Sequence, residues 1–297
     1  MKVDRMVKKG WKQTVVAAAL ITGASTLLFQ GCILAATASE YNKTNTVSTS
    51  YASFAAASSQ VAQNSVPDGY QKANYTIRDI NLEYFRNQTP TSKDMPKEAA
   101  AEIGAQTLWN VFGLGLEGQV IEMGYQQPTE NLPRSSWYAD VVVNGKRSYC
   151  FSVDSVTGEV FNIGRERTLN ETVSVAFDAA LDKNPQEYVA LAKLQAEKYN
   201  VVHSKIKSVA YNGQGYSNND PTISLDITGE NGEIALMTFS RHDKALLGIV
   251  YNGEYMQVLE SHEKLIKRVQ ERVKELEKSA PAASDNGQPF LKALDLD

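Results

Sequence analysis

The chain has 297 residues, 42% apolar and 22% charged, enough to bury a sizeable core and too polar for a multi-span membrane protein, so one or two domains are expected. Formal net charge is −4. The first 38 residues carry +4 (Lys2, Arg5, Lys8, Lys9 and Lys12 against Asp4), which leaves −8 for the rest. An acidic body without a basic tract lacks the clustered Lys and Arg that release counterions from a phosphate backbone, so nucleic acid is not an expected partner.

The basic start leads into Thr14 to Ala38, 25 residues without a charge. Basic, apolar and then small residues is the order of a secretory signal, and Ala36-Thr37-Ala38 supplies an A-x-A site that places cleavage before Ser39. Two alternatives stay open: a run of this length also spans a bilayer as an anchor, and Gly31-Cys32 offers a lipid-attachment cysteine. All three readings export the remainder, so the expected location is extracytoplasmic, with membrane contact only through residues 1–38. Cys150 is the other cysteine. Cleavage would leave it a lone thiol without an intramolecular disulfide, and its place in a strand alternation reads as a small buried hydrophobe.

Residues 39–67 are rich in Ser, Thr, Ala and Asn and read as a flexible spacer. A lead-in (68–93) follows. Within it Tyr75 to Phe85 alternates as a strand, with Ile80, Leu82 and Tyr84 inward. Asp94, Pro96 and Glu98 mark a helix start, Asp94 as cap. Ala99, Ile103, Gln106, Trp109, Val111 and Phe112 lie near helical spacing, and Gly113 ends the run. Next come a strand (Q-V-I-E-M-G-Y), a polar loop, and a hairpin turning at Asn144-Gly145. The turn D-S-V-T-G-E-V closes the unit, with Asp154 and Thr157 accepting from turn amides and Gly158 supplying positive φ before Glu159.

The same grammar recurs. Pro185-Gln186-Glu187 opens a second helix, a strand and polar loop follow, and Asn231-Gly232 turns a second hairpin. Pro to Asn-Gly spans 48 residues in the first copy and 46 in the second; Pro to Phe-Ser (Phe151-Ser152, Phe239-Ser240) spans 55 and 54. In this alignment the second closing turn is longer by two residues. The fold class is therefore α+β: two repeated modules (94–165 and a degenerate 185–253), each a helix on an antiparallel three- to four-stranded sheet, plus a C-terminal amphipathic helix (255–278) and a disordered tail (279–297). In that helix Tyr255, Leu259, His262, Ile266, Val269, Val273 and Leu276 step by 4 and 3, as on a coiled-coil seam or a helix laid on a sheet.

Helix, strand, hairpin and then D-x-x-T-G-E-V (Asp154, Thr157, Gly158, Glu159, Val160) resembles the PepSY domain. The resemblance covers residues 94–165 well and 185–253 loosely, just under half the chain. It implies a small helix-on-sheet domain without its own chemistry, acting by contact with another envelope protein, in some relatives a peptidase.

Catalytic signatures are sparse. His203, His242 and His262 are scattered, no Cys pair has metal spacing, and no nucleophile elbow or phosphate loop occurs. No catalytic residue, metal or cofactor is assigned. A hydrolase with a carboxylate pair between the modules is the alternative, as is a structural envelope component assembling through its C-terminal helix; the first depends on spacing the sequence does not carry. Contact candidates come from two long loops, Gln126 to Trp137 with Arg134 and Trp137, and Asn212 to Pro221 with Tyr216 and Asn219.

Overall fold

The computed structural model describes residues 66–129 and 132–279. Ala36, Ala38, Cys32, nearly all of the spacer and nearly all of the tail lie outside them. Up to Gln257 the chain is one compact unit; helix residues from Val258 belong to a second.

The first module opens with β1 (Thr76–Asp79), the single turn α1 (Glu83–Arg86) and α2 (Lys97–Phe112), then β2 (Val120–Gln126), β3 (Ser136–Val143), β4 (Lys146–Asp154) and β5 (Val160–Arg165). After a linker carrying α3 (Ala179–Lys183) come α4 (Gln186–Lys198), β6 (Ile206–Ser217), β7 (Asp220–Gly229), β8 (Ile234–Ser240), β9 (Leu246–Val250) and α5 (Asn252–Ser279). This is an α+β fold. Its strands form one nine-stranded sheet, β1-β2-β3-β4-β5-β9-β8-β7-β6. Among the described residues only β1 with β2 pairs in parallel.

The modules are joined by their last strands, β5 and β9, in antiparallel register with Ile163 opposite Ile249. The two expected sheets are thus halves of one. Gly164 stands opposite Gly248 at this seam, and a Cβ on Gly248 would lie 3.1 Å from the Ile163 carbonyl oxygen. Side-chain bulk there would force the strands to shift.

One sheet face is covered by α2, packed over β3, β4 and β5, and by α4, over β6 and β7. The face α2 buries is Ala100, Ala101, Gly104, Ala105, Leu108 and Val111. Small residues bring the helix axis close to the strands, and Phe151 of β4 fills the notch at Gly104, where a Cβ would sit 2.3 Å from its ring. The buried stripe is thus rotated from the expected one: Ile103 is half-buried and Trp109 lies at the edge, its Nε1 donating to the Asp68 carbonyl. Strand alternation supplies the other wall: Ile121 and Met123, Ala139 and Val141, Phe151 and Val153 in the first half, Ile223, Leu225 and Ile227, Ala235, Met237 and Phe239 in the second. Fully burying one such side chain contributes about 1.5–3 kcal/mol.

Several expectations are corrected. The lead-in strand stops at Asp79; Leu82 is exposed, and the α1 turn carries Phe85 into the interior, stacked on Tyr138. Asp94 does not cap α2, whose N-cap is Pro96 without a side-chain bond. The segment from Asn212 to Pro221 is no long loop: β6 and β7 pair almost to their tip, turning at Asn218-Asn219, and the Asn212-Gly213 composition marks a bulge instead. Cys150 is buried against Ile80, Phe85 and Tyr138 as a small apolar side chain would be, but it is disulfide-bonded and not a lone thiol.

Candidate functional site

The D-x-x-T-G-E turn is built around a buried ion pair. Asp154, wholly buried at the end of β4, accepts at one carboxylate oxygen from the Val156 and Thr157 amides (2.8 and 2.6 Å) and at the other from Arg134 Nε (2.6 Å). Arg134, 2% exposed, also donates to Thr157 Oγ1 (3.2 Å), pairs with Glu159 (2.7 Å) and lies 4.7 Å from the centre of the Phe161 ring. Gly158 (φ 78°) sends its amide to the Asp154 carbonyl, and the Asp154 amide donates to Glu159. Every polar residue of the motif is therefore spent inside the turn. Its outer edge receives the start of α5, where a Cβ on Gly253 would be 2.5 Å from Glu159 Oε1.

The second module repeats this turn with the charges exchanged. The Ser240 amide donates to Ala245 and the Lys244 amide to Ser240, the same two backbone bonds, and Lys244 (φ 61°) stands where Gly158 does. Ser155 donates its amide to the Ser135 carbonyl and Arg241 to that of Pro221, so Asp220 occupies the place of Arg134. The Ser240 hydroxyl donates to Asp220 (2.6 Å), and the cation comes from the linker: Arg167 Nε reaches Asp220 (2.6 Å) while its other nitrogens grip Asp243 (2.8 and 2.7 Å). Arg167 hydrogen bonding holds the Asp243 carboxyl well below the usual carboxylate range. The second turn is thus as long as the first, which corrects the expected insertion of two residues: Asp154, not Ser152, corresponds to Ser240.

Asp94 is a third node. Its carboxylate accepts from the hydroxyls of Thr91, Ser135, Ser155 and Tyr125 and from the Thr91 amide. Burial alone would raise its pKa, but these donors, Ser155 foremost, outweigh it and lower the pKa to about 2.

The sheet face away from the helices holds a polar group in the first module. Asp140, 3% exposed, accepts from Tyr138 (2.8 Å) and pairs with Arg147 (3.1 Å), which also reaches Glu122 at 3.5 Å. Burial raises the Asp140 pKa to about 6 against the lowering effect of Tyr138 and Arg147, and burial likewise raises that of Glu166. In the second module Tyr255 of α5 donates to Asp226, and Asn212 joins both.

The contact candidates part company. Arg134 is the core of a turn, and Trp137 is 7% exposed, its Nε1 donating to the Met95 carbonyl and its ring edge-on to Tyr125; neither lies on an exposed loop. Asn219 is a clamp: its side chain accepts from the Leu169 amide and donates to the Leu169 and Glu171 carbonyls, while Asn218 donates to that of Arg167. Tyr216 alone of the four faces solvent, at 61% exposure. Sequence reading missed its neighbour. The clamped linker brings Val175 and Phe177 to the same end of the sheet: Asp178 and Gln214, two residues from Tyr216, exchange bonds of 3.0 and 2.9 Å, and Arg241 donates to Ala176. Phe177 is 59% exposed. Beside it lies an open groove of about 440 Å3 between residues 173, 174 and 176–179, Pro221 and Arg241. The signal was present as an apolar pair, Val175 and Phe177, in a polar linker. A second open groove, about 550 Å3, lies between the end of α4 and the start of β6.

Among the described residues no group of His, Cys, Asp and Glu is arranged to hold a metal ion, and no helix is long and apolar enough to cross a membrane. A scan against protein-family models gives no match, and a search of curated proteins gives none. Among solved structures the chain is similar to the Bacillus megaterium YpeB C-terminal domain, at 10% identity and a TM-score of 0.35, over 55% of this chain and 66% of that one, just under two thirds of its length.

Proposed function

We propose that this is a non-catalytic, exported binding protein of the bacterial cell envelope, built from two PepSY-like modules and working by contact with another envelope protein, a peptidase being the partner class the PepSY resemblance suggests. The observation that carries this reading is the exposed apolar end of the second module. Phe177 and Tyr216 are held in solvent by a linker fixed through Arg167, Asn218, Asn219 and Gln214. Rigid, exposed aromatics beside a shallow groove suit a protein contact, since they present large area at little cost in side-chain entropy. Export rests on the basic-apolar-small order of residues 1–38, with cleavage after Ala38, retention as an anchor, or lipid attachment at Cys32 as its three forms; Cys32 and Cys150 are the two cysteines of the sequence, so a disulfide on Cys150 within one chain fits only the retained anchor, and either processing event would leave Cys150 to bond a different chain.

The test is affinity capture from the native envelope with the full chain, comparing the wild type with Phe177→Ser/Tyr216→Ser. A protein retained by the wild type and lost by the variant supports the reading. Reproducible capture of no protein, together with turnover of a glycan or peptide, overturns it in favour of a hydrolase. Mass determination of the mature N-terminus separates the three export forms: Ser39 free, residues 1–38 retained, or a lipid-modified Cys32.

A further inference from the structure

The two modules differ at their outer edges. In the first, β1 lies along β2 in parallel, residues 76–79 opposite residues 120–123, with the Thr76 amide donating to the Gln119 carbonyl and the Ile80 amide to that of Met123. Ahead of β1 the lead-in packs against α2: Tyr70 and Tyr75 both donate to Glu102 (2.8 and 2.9 Å), and the Asn74 carbonyl accepts from the Gly118 amide. The correspondence of Arg134 with Asp220, carried through the strand registers, sets residues 120–123 of β2 against 208–211 of β6: Ile121 faces Val141 and Met123 faces Ala139 as Val209 faces Ile227 and Tyr211 faces Leu225. Among the described residues no strand lies on the outer side of β6. At the corresponding end of α4 and β6 is the open groove of about 550 Å3.

We infer that the outer edge of β6 accepts an extended segment of a partner protein as a further strand, parallel to β6, in the place that β1 holds on β2. An edge backbone offers alternating N–H and C=O groups that another extended chain satisfies. By the β1 correspondence those of Val209 and Tyr211 point outward. Bulges interrupt the β6–β7 register on either side, between Ile206 and Ser208 and between Tyr211 and Gly213. They twist the edge away beyond these points, so the added run is no longer than the four residues of β1. Ile77, the half-buried residue of β1, sets an apolar side chain at the second paired place, beside Val209. The groove ahead of the run is lined by Lys193 and Lys205 against Glu197 and Glu230. Lys198 and Lys207 are next in sequence to Glu197 and Ile206, a surplus of two positive charges in a body that carries −8 past residue 38. An acidic residue ahead of the paired run therefore completes the segment.

The probe is a synthetic peptide of residues 70–80 carrying Lys72→Glu, added to the full chain and followed by fluorescence anisotropy and amide hydrogen exchange. Binding should slow exchange at Val209 and Tyr211, and the peptide that keeps Lys72 should bind about threefold more weakly. Methylating the peptide amide of Arg78, which lies between the Thr76 and Ile80 amides that bond β2, should weaken binding about fivefold or more, because a ladder hydrogen bond is lost. Methylating that of Ile77, which faces away from the edge, should leave binding intact. Absence of binding, protection at residues 120–123 in place of Val209 and Tyr211, or indifference to methylation at Arg78 or to the charge at position 72 overturns the inference. Phe177→Ser/Tyr216→Ser should leave peptide binding unchanged, so this edge and the exposed aromatic end fail separately.

Discussion

Asp154 and Ser240 hold the same place in the two modules, each closing its turn with the same pair of backbone bonds, yet only Asp154 is charged. Its counter-charge, Arg134, is replaced in the second module by Asp220, and Arg167 from the linker makes the balance. One turn geometry is thus kept by two opposite electrostatic solutions. In the second solution the linker becomes part of the turn.

Removing Arg134 leaves a wholly buried carboxylate without its cation. Arg134→Met should cost about 3–5 kcal/mol, and Arg134→Met/Asp154→Asn should recover a large part of that loss, because the penalty comes from the orphaned charge more than from the lost pair. Urea denaturation at pH 7 measures both.

The second module should respond differently. Asn219→Ala removes three side-chain bonds to the linker backbone, so about 1–2 kcal/mol is expected. The local effect should be larger than the global one. Limited proteolysis should cut between Thr168 and Ser174 in the variant and spare the wild type.

Helix α2 lies on Phe151 at Gly104, where a side chain has no room. Gly104→Val should destabilise by roughly 1–3 kcal/mol or more despite higher intrinsic helix propensity, since overpacking outweighs it. Phe151→Leu in the same chain should return part of the loss. Thermal denaturation of the single and double variants checks this.

Acid and neutral pH pull on different carboxylates. Asp94 is more acidic folded than its ordinary 3.8, so its contribution is present above about pH 4 and lost as pH falls toward 2. Asp140 is raised from 3.8 to about 6: the folded state holds its proton more tightly, so its contribution is full below about pH 4 and lost as pH rises through 6. Asp140→Asn should flatten the decline between pH 4 and 6 and raise stability at pH 7 by on the order of 1–2 kcal/mol. Denaturation midpoints of the two proteins across pH 3 to 8 are the measurement.

What the sequence carried was local. Asn144-Gly145 adopts φ of 52° and 78°, the hairpin turn its composition demands, and Gly158 takes the positive φ assigned to it. What it hid was set by partners far along the chain. Arg134 reads as a loop cation until Asp154, twenty residues on, neutralises it in the interior, and Asn219 reads as a loop amide until the linker fifty residues earlier folds back onto it. The repeat was legible, but its register was not: Phe-Ser occurs in both copies at nearly matched spacing, and only the hydrogen bonds reveal that Ser240 stands in for Asp154. Phe177 escaped notice because exposure belongs to the fold and not to the residue. The joining of the two sheets at Ile163 and Ile249 had no local signal, since either strand reads equally well as an edge.

Two copies of one unit share a single sheet and fold as one body. Native-state hydrogen exchange on the backbone amides of Asn162 to Gly164 and Gly248 to Val250, set beside those of the two module interiors, tests it directly. The seam and both interiors should exchange with the same free energy of opening, that of global unfolding. Exchange of one module and the seam at markedly lower free energy, while the other module stays protected, would contradict it.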